Sequence, residues 1–188
     1  VTDFAVPAKT FGDAAFSIVA PTSNSDGIFT YTSSNLAVAT IDGNVVTIIG
    51  GGSSTITASQ ASTTNYIAGT ITASLVVNKA TTTLTNFTVP ATTFGTAPTT
   101  ITAPTTNSNG AFTYTSSNTA VATISGTTVT IVGVGSSTIT ANQATTTNYT
   151  SGTITASLVV SKGTPVLTGF SIPVKTDKNT PFTITAPT

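Results

Sequence analysis

The sequence predicts an all-β protein made of tandem β-sandwiches, with about seven strands in each. Three observations predict this fold class: the composition, an internal duplication, and an alternation of apolar and polar residues with a period of two. Of the 188 residues, 48 are threonine and only 5% are charged. Threonine is β-branched and favours strands, and the charged residues that usually cover helix surfaces are almost absent.

The chain contains two nearly identical copies of one unit. The stretch “TYTSSNLAVATIDG” occupies residues 30–43, and “TYTSSNTAVATISG” occupies residues 113–126. Residues 1–83 and 84–166 are identical at 57 of 83 aligned positions, without a gap. This period is too long for one coil of a solenoid. It is close to the roughly 100 residues of an immunoglobulin-type sandwich. The sequence therefore predicts tandem immunoglobulin-like domains.

The domain boundaries are predicted at the ends of two “SLVV” strands, after Lys79 and Lys162. We expect one sandwich at residues 1–79 (copy 1), truncated at its N-terminus, and a second at residues 80–162 (copy 2). Residues 163–188 are predicted to hold the opening strands of a third repeat. Because so short a piece cannot bury enough apolar surface alone, we expect it to be ordered only when something completes it. That could be the rest of its own domain or a neighbouring chain.

Copy 2 shows the alternation most clearly. Its apolar residues alternate with threonine or serine, and turn signals such as “NSNG” at residues 107–110 separate the runs. The predicted strands lie around residues 87–89, 100–103, 112–115, 120–124, 129–131, 138–141 and 154–160. Two such sheets packed face to face would bury their apolar sides.

The charge balance argues against several partners. The net charge is zero, with five lysines and five aspartates, so there is no basic stripe for phosphates or for an anionic membrane. No apolar run reaches the roughly 20 residues of a transmembrane helix. We expect no nucleic-acid partner and no membrane insertion. The expected partners are neighbouring repeats of the same long chain, with other copies in a fibre as an open alternative. Because the sequence begins at Val1 without a charged-then-apolar leader, we expect it to be an excerpt of a longer protein.

The sequence offers no catalytic constellation. A serine or threonine nucleophile needs an adjacent base, and the chain has no histidine and no glutamate. Lys162 is the single charged residue of copy 2, which cannot support general acid–base catalysis. Cysteine is absent, which excludes disulfides and thiolate sites. We therefore expect no enzymatic activity, no catalytic residue and no cofactor-binding residue.

Two Asp-Gly pairs of copy 1, Asp26-Gly27 and Asp42-Gly43, could suggest calcium ligands. The matching pairs of copy 2 are Asn109-Gly110 and Ser125-Gly126, which lack the carboxylates that calcium prefers. A turn needs only a short polar residue before glycine. The turn explanation covers both copies, so we expect no metal site and no metal ligand.

Two residue pairs near the ends of the copies have structural interpretations. Lys79 and Lys162 are expected to be solvated at domain junctions, because copy 2 has no carboxylate to catalyse an isopeptide crosslink. Tyr66 and Tyr149 resemble the tyrosine corner of immunoglobulin-type sandwiches, a hydrogen bond that stabilises the fold.

Two glycosylation sequons begin at Asn86 and Asn148. The first copy has a sequon at neither matching position, so neither belongs to the plan of the unit. The Thr-x-Thr pairs are interpreted as ordinary solvent faces of twisted strands.

These blocks resemble the MBG family of bacterial immunoglobulin-like domains, and more loosely the group-2 bacterial immunoglobulin-like domains. The matching features are the Phe-Gly near the start, “FTYTSSN-AVATI-G”, “VTI-G-GSSTITA-Q” and the “NY” before the last strand, and together they cover nearly the whole chain. The resemblance implies modules strung in arrays on secreted or surface proteins, often adhesins. Comparable modules also decorate phage capsids and tails.

The function expected from these features is a structural spacer or stalk of an extracellular bacterial fibre or adhesin. Two alternatives stay open: an immunoglobulin-like module of a virion, and a carbohydrate-binding module. The aromatic residues mostly fall on the face predicted to point into the core, which argues against the carbohydrate-binding module.

Overall fold

The computed structural model describes residues 1–172, 174, 176–177, 181 and 183–184. Its described residues contain sixteen β-strands and no helix, which confirms the all-β class. The strands of copy 1 are β1 (Lys9–Thr10), β2 (Phe16–Ser17), β3 (Phe29–Ser33), β4 (Ala39–Asp42), β5 (Val45–Ile48), β6 (Gly52–Gln60) and β7 (Gly69–Asn78). Those of copy 2 are β8 (Leu84–Thr85), β9 (Thr92–Thr93), β10 (Thr99–Thr100), β11 (Thr105–Thr106), β12 (Phe112–Ser116), β13 (Ala122–Ser125), β14 (Thr128–Ile131), β15 (Gly135–Gln143) and β16 (Gly152–Ser161).

The strands of copy 1 form two sheets. The larger has the order β1-β7-β6-β3, and the smaller has the order β2-β5-β4. Strand β1 runs parallel to β7, whereas β3, β6 and β7 pair antiparallel. The β6–β7 hairpin pairs nine residues of β6, from Gly52 opposite Val77 to Gln60 opposite Gly69. This long hairpin forms the centre of the larger sheet.

Copy 2 repeats the arrangement with the same register. Its sheets have the orders β9-β16-β15-β12 and β10-β14-β13. The pair Tyr31–Ala58 in copy 1 becomes Tyr114–Ala141 in copy 2, a shift of 83 positions in both strands. The small β8–β11 sheet of copy 2 corresponds to a single bridge, Thr2–Thr22, in copy 1. The sequence duplication is therefore a duplication of strand pairing.

The alternation sorts side chains between core and solvent. In β3, Phe29 and Tyr31 are half-buried while Thr30 and Thr32 are exposed. Strand β12 has the same pattern. Threonine hydroxyls thus keep the outer face wetted without charges, as the sequence predicts for ordinary strand surfaces.

Each copy has its own hydrophobic core, to which both of its main sheets contribute. The buried core of copy 1 comprises Ile18, Val38, Ala39, Val46, Ile56, Leu75 and Val77. The core of copy 2 comprises Phe87, Val89, Ile101, Val121, Ala122, Val129, Ile139, Ala141, Leu158 and Val160. Full burial of one such large side chain contributes about 1.5–3 kcal/mol. The two sheets of each copy therefore hold each other through apolar contact.

Two predicted strands were wrong in their extent: none of residues 87–89 lies in a strand, and only Thr100 of residues 100–103 does. Phe87 and Ile101 are buried, but the chain at both residues is outside any strand. Prolines explain this difference, because Pro90 and Pro104 lie within three residues of these positions and cannot donate to a ladder. The parallel strand β9 was not among the predicted strands. Its threonines carry no apolar alternation by which to recognise it.

A buried glutamine ties a loop to the larger sheet in each copy. In copy 2, the Nε2 of Gln143 donates to the carbonyls of Ser108 and Gly110, at 3.0 and 2.8 Å. Its Oε1 accepts a hydrogen bond from the Thr106 hydroxyl at 2.6 Å. Gln60 makes the matching bonds in copy 1. A single neutral amide thus fixes the loop that precedes β12.

The predicted third repeat shows no strand in the part of residues 163–188 that the structure describes. Phe170, Ile172 and Ile184 are each more than half exposed, which fits a segment whose apolar residues lack the rest of their core. Phe182, which alternates with Thr183 and Ile184 in the sequence, lies outside the described residues. The identity of this segment as opening strands of a repeat stays a prediction.

We expect Gln143→Ala to lower the free energy of unfolding by about 1–3 kcal/mol, because it leaves two carbonyl acceptors without their donor. The measurement is urea denaturation of the intact chain. Thr138→Ala is the matched control, since Thr138 is exposed on the same strand and such surface changes stay within about 0.5 kcal/mol. An equal loss from both variants would contradict the role of the glutamine.

We also expect a loss of stability above pH 10 that depends on tyrosine. Burial raises the pKa of the Tyr31 and Tyr114 phenols above the ordinary value of 10.0. Because the folded pKa lies above the unfolded one, this stability is complete below pH 10 and is lost as the pH rises through the folded pKa. The hydroxyl of Tyr114 is buried without a partner, so Tyr114→Phe should be neutral or stabilising at pH 7.

The measurement is the urea midpoint of wild type and Tyr114→Phe at pH 8 and pH 11. Tyr114→Phe should lose less stability than the wild type when the pH is raised from 8 to 11. Tyr66→Phe changes an exposed residue and serves as the control. The interpretation fails if the urea midpoints of the wild type and of Tyr114→Phe fall equally between these pH values.

Candidate functional site at the junction between the copies

The two copies meet at a defined contact. We name residues 145–150 of copy 2 the front loop and residues 49–52 of copy 1 the rear turn; the matching segments are residues 62–67 and 132–135. The backbone N–H of Gly51 in the rear turn donates to Oδ1 of Asn148 in the front loop, at 2.9 Å. Both partners belong to loops that adjoin the central hairpin of their copy.

Side chains add two contacts beside this bond. The rings of Phe11 and Tyr149 meet edge to face, with their centroids 5.5 Å apart, a geometry that aromatic quadrupoles favour. The Nζ of Lys79 donates to the Thr145 hydroxyl at 3.0 Å. One hydrogen bond, one aromatic pair and one lysine contact therefore join copy 1 to the front loop.

The connecting segment is fixed to the same loop. Ala80 donates its N–H to the Asn148 carbonyl at 2.8 Å and accepts from the Thr150 N–H at 2.9 Å. The Thr82 N–H donates to the Thr150 hydroxyl at 3.3 Å, and the Thr82 hydroxyl donates to the Thr150 carbonyl. A linker bonded in this way does not behave as the free coil that interdomain linkers often form.

The front loop is organised before it meets copy 1. The Thr146 hydroxyl accepts from the N–H groups of Asn148 and Tyr149, at 3.3 and 3.0 Å. The Thr146 N–H donates to the Tyr149 carbonyl at 3.0 Å, and the same bond joins Thr63 to Tyr66 in copy 1. Threonine hydroxyls favour such local turns. Each copy therefore presents a similarly built front loop.

An open groove of about 570 Å³ runs along the junction. Its lining consists of Gly51, Gly52, Ser53, Val76, Val77, Asn78, Lys79 and Thr147. Lys79 is the only ionisable side chain among these residues, so the groove lacks a second group for acid–base chemistry. It also lacks aromatic residues, on which sugar rings would stack.

Asp42-Gly43 lies at the turn between β4 and β5, as predicted, whereas Asp26-Gly27 follows a bend at residues 24–25 and does not lie in a turn. Gly43 has a φ of 58°, and Gly126 in copy 2 has a φ of 55°, the left-handed region that favours glycine. A Cβ on Gly27 or on Gly110 would collide with the carbonyl of Ala61 or Ala144. The same local geometry therefore requires glycine at these positions in both copies.

The described residues contain no group of three or more acidic, histidine or cysteine residues that could hold a metal ion. Within the same part of the chain, no helix has the length and hydropathy needed to cross a membrane.

One sequence interpretation is wrong, and the structure adds a contact to two others. The tyrosine corner is wrong, because neither Tyr66 nor Tyr149 makes a hydroxyl hydrogen bond within the described part of the chain; Tyr149 packs on Phe11 instead. Lys79 is exposed as expected, but its ammonium bonds Thr145 rather than water alone. The sequon residue Asn148 has its side chain in the junction.

No protein-family model and no curated protein matches this chain. Among solved structures, the chain is similar to human protocadherin-24 EC1-2, with 14% identity over 86% of this chain and 95% of that chain, and a TM-score of 0.34. It is similar to domains 4-9 of the surface layer protein SbsC, with 23% identity over 79% of this chain and 24% of that chain, and a TM-score of 0.33.

A third similar structure is a SusE-like surface located polysaccharide binding protein from the Bacteroides thetaiotaomicron heparin utilisation locus. The identity is 14% over 84% of this chain and 33% of that chain, with a TM-score of 0.31. TM-scores this low carry no argument about function.

We expect a chelator to leave the melting temperature unchanged, because the Asp-Gly turns owe their form to glycine rather than to a bound ion. The measurement is a thermal melt followed by circular dichroism, with and without EDTA. Added calcium chloride is the matched control and should also change nothing. A drop of several degrees with EDTA would show that these turns hold a metal.

Proposed function

We propose that this chain is a non-catalytic run of immunoglobulin-like β-sandwich repeats, of the MBG type, that serves as a spacer or stalk in an extracellular bacterial surface fibre or adhesin. The proposed domains are residues 1–79 and 80–162, with a third repeat beginning at residue 163. The observation that supports the proposal most is the junction, where the connecting segment and the front loop together fix one copy against the next.

The junction matters because the length of a spacer increases with the number of repeats only if each repeat holds a fixed orientation to the next. In an array whose units contact only their neighbours, the shape of the whole follows from the geometry of each junction. Here Ala80 and Thr82, which open copy 2, are bonded to its front loop, and Gly51, Phe11 and Lys79 of copy 1 contact the same loop. The direction of one copy therefore constrains the direction of the next.

The low charge fits the same role. With five lysines and five aspartates in 188 residues, the chain has little means to attract a charged ligand. A surface covered by threonine hydroxyls stays wetted, and its hydrogen bonds depend little on ionic strength. The proposed partners are accordingly the neighbouring repeats of a longer chain.

The proposal is tested by small-angle X-ray scattering and ¹⁵N relaxation on the intact chain. Copies 1 and 2 should tumble as one elongated body. Asn148→Ala removes the acceptor of the Gly51 N–H, which costs on the order of 1 kcal/mol of docking and raises the undocked fraction roughly fivefold. Asn142→Ala, a change of the same residue type away from the junction, is the control. Independent tumbling of the two copies in the wild type would contradict the spacer role.

A further inference from the structure

The rear turn of copy 1 contains three consecutive glycines, and each is there for a different reason. Gly52 has a φ of 140°, and its counterpart Gly135 has a φ of 137°, in the region that favours glycine. A Cβ on Gly50 would come within 2.7 Å of the Ala37 carbonyl of its own copy. Its counterpart Gly133 meets the same obstacle. These two glycines are required by the fold of each copy.

The middle glycine, Gly51, has no such local reason. Its φ is not among the positive values, so other residues can adopt this backbone. The atoms nearest to a Cβ on Gly51 all belong to copy 2, and the first is the Thr147 carbonyl oxygen, closer than van der Waals contact allows. In copy 2, a valine, Val134, occupies the same place in the same turn. Gly51 is therefore needed by the neighbouring copy and not by its own.

We propose that the residue at this position determines whether a copy accepts the front loop of another repeat. This inference deepens the proposed spacer function. A glycine lets the front loop approach until the N–H of residue 51 reaches Asn148. A valine excludes the loop, because its side chain fills the space that the Thr147 carbonyl needs. Gly51 makes the rear turn of copy 1 a docking surface, and Val134 closes that of copy 2.

The aromatic contact lies beside the same turn. Phe11 is half-buried against Tyr149, so a front loop displaced from Gly51 would also lose this ring contact. Copy 2 keeps a phenylalanine at the matching position, Phe94.

The connecting segments also differ. Ala80, after copy 1, is bonded to the front loop of copy 2. Its counterpart after copy 2 is Gly163, where a Cβ would lie 2.5 Å from the Phe94 carbonyl oxygen. A side chain at residue 163 would therefore displace that carbonyl.

The segment of copy 1 that matches the front loop carries the same Thr-Asn-Tyr sequence, at residues 64–66, as the docked loop of copy 2. The partner that fits this segment is a repeat of the same kind with glycine at the position of Gly51 and phenylalanine at the position of Phe11.

The test uses Gly51→Val and Gly51→Ala in the intact chain. Both variants should separate the tumbling of the two copies in ¹⁵N relaxation and raise the hydrogen-exchange rate of the residue 51 amide at least tenfold. The urea midpoint of copy 1 should not change, because copy 2 accommodates valine in the same turn. Val134→Gly is the matched control and should leave the junction between the copies unchanged.

Two results would overturn the inference. The first is a wild-type-like, jointly tumbling junction in both Gly51 variants. The second is unfolding of copy 1 in both variants, which would mean that Gly51 serves its own fold. Either result leaves the spacer role standing if the wild type tumbles as one body, whereas independent tumbling of the wild type would contradict that role itself.

Discussion

The nine-residue pairing of β6 with β7, repeated by β15 with β16, is the interaction on which the rest of the structure depends. Strand β6 begins at the rear turn and ends at Gln60, just before the segment that matches the front loop, so one strand connects these two loops of copy 1. At ~3.3 Å per residue it spans about 30 Å. Its inward residue Ile56 belongs to the core of copy 1. The hairpin therefore sets the core, the loop anchored by glutamine and the distance between the two ends.

With few charges, the fold pairs its buried serine and glutamine side chains through neutral hydrogen bonds, whereas the Tyr114 hydroxyl stays without a partner in the described part of the chain. The Ser137 hydroxyl lies 2.8 Å from the Ser116 hydroxyl and accepts the Asn118 N–H at 3.0 Å. Ser54 has the same contacts in copy 1. These bonds fix the Ser-Ser-Asn turn of the duplicated stretch, as Gln143 fixes the loop before it. Salt does not screen such neutral bonds as it screens ion pairs.

The sequence predicts the long strands well and the short ones poorly. Strands β12, β15 and β16 follow the alternation because each has one apolar face on the core. Short strands such as β9 pair only two residues, which is too few for a periodic signal. The role of Gln143 could not be predicted from the alternation, because its partners are two backbone carbonyls and a threonine hydroxyl on a separate segment. The junction depends on how two copies meet, which the pattern of one copy does not encode. The difference between Gly51 and Val134 was a visible signal, but it has meaning only beside the Thr147 carbonyl.

The few contacts at the junction are sufficient to hold copy 1 against copy 2 because the segment that links the two copies is short. Strand β7 ends at Asn78, and Ala80 is already bridged to Tyr149 of copy 2, so Lys79 alone separates the two bonded regions. A one-residue tether holds the rear turn and the front loop at high effective concentration. Docking then costs little additional chain entropy, and a hydrogen bond with an aromatic pair can offset it. The same reasoning explains why one side chain at the position of Gly51 is decisive: the tether is too short to move the front loop elsewhere.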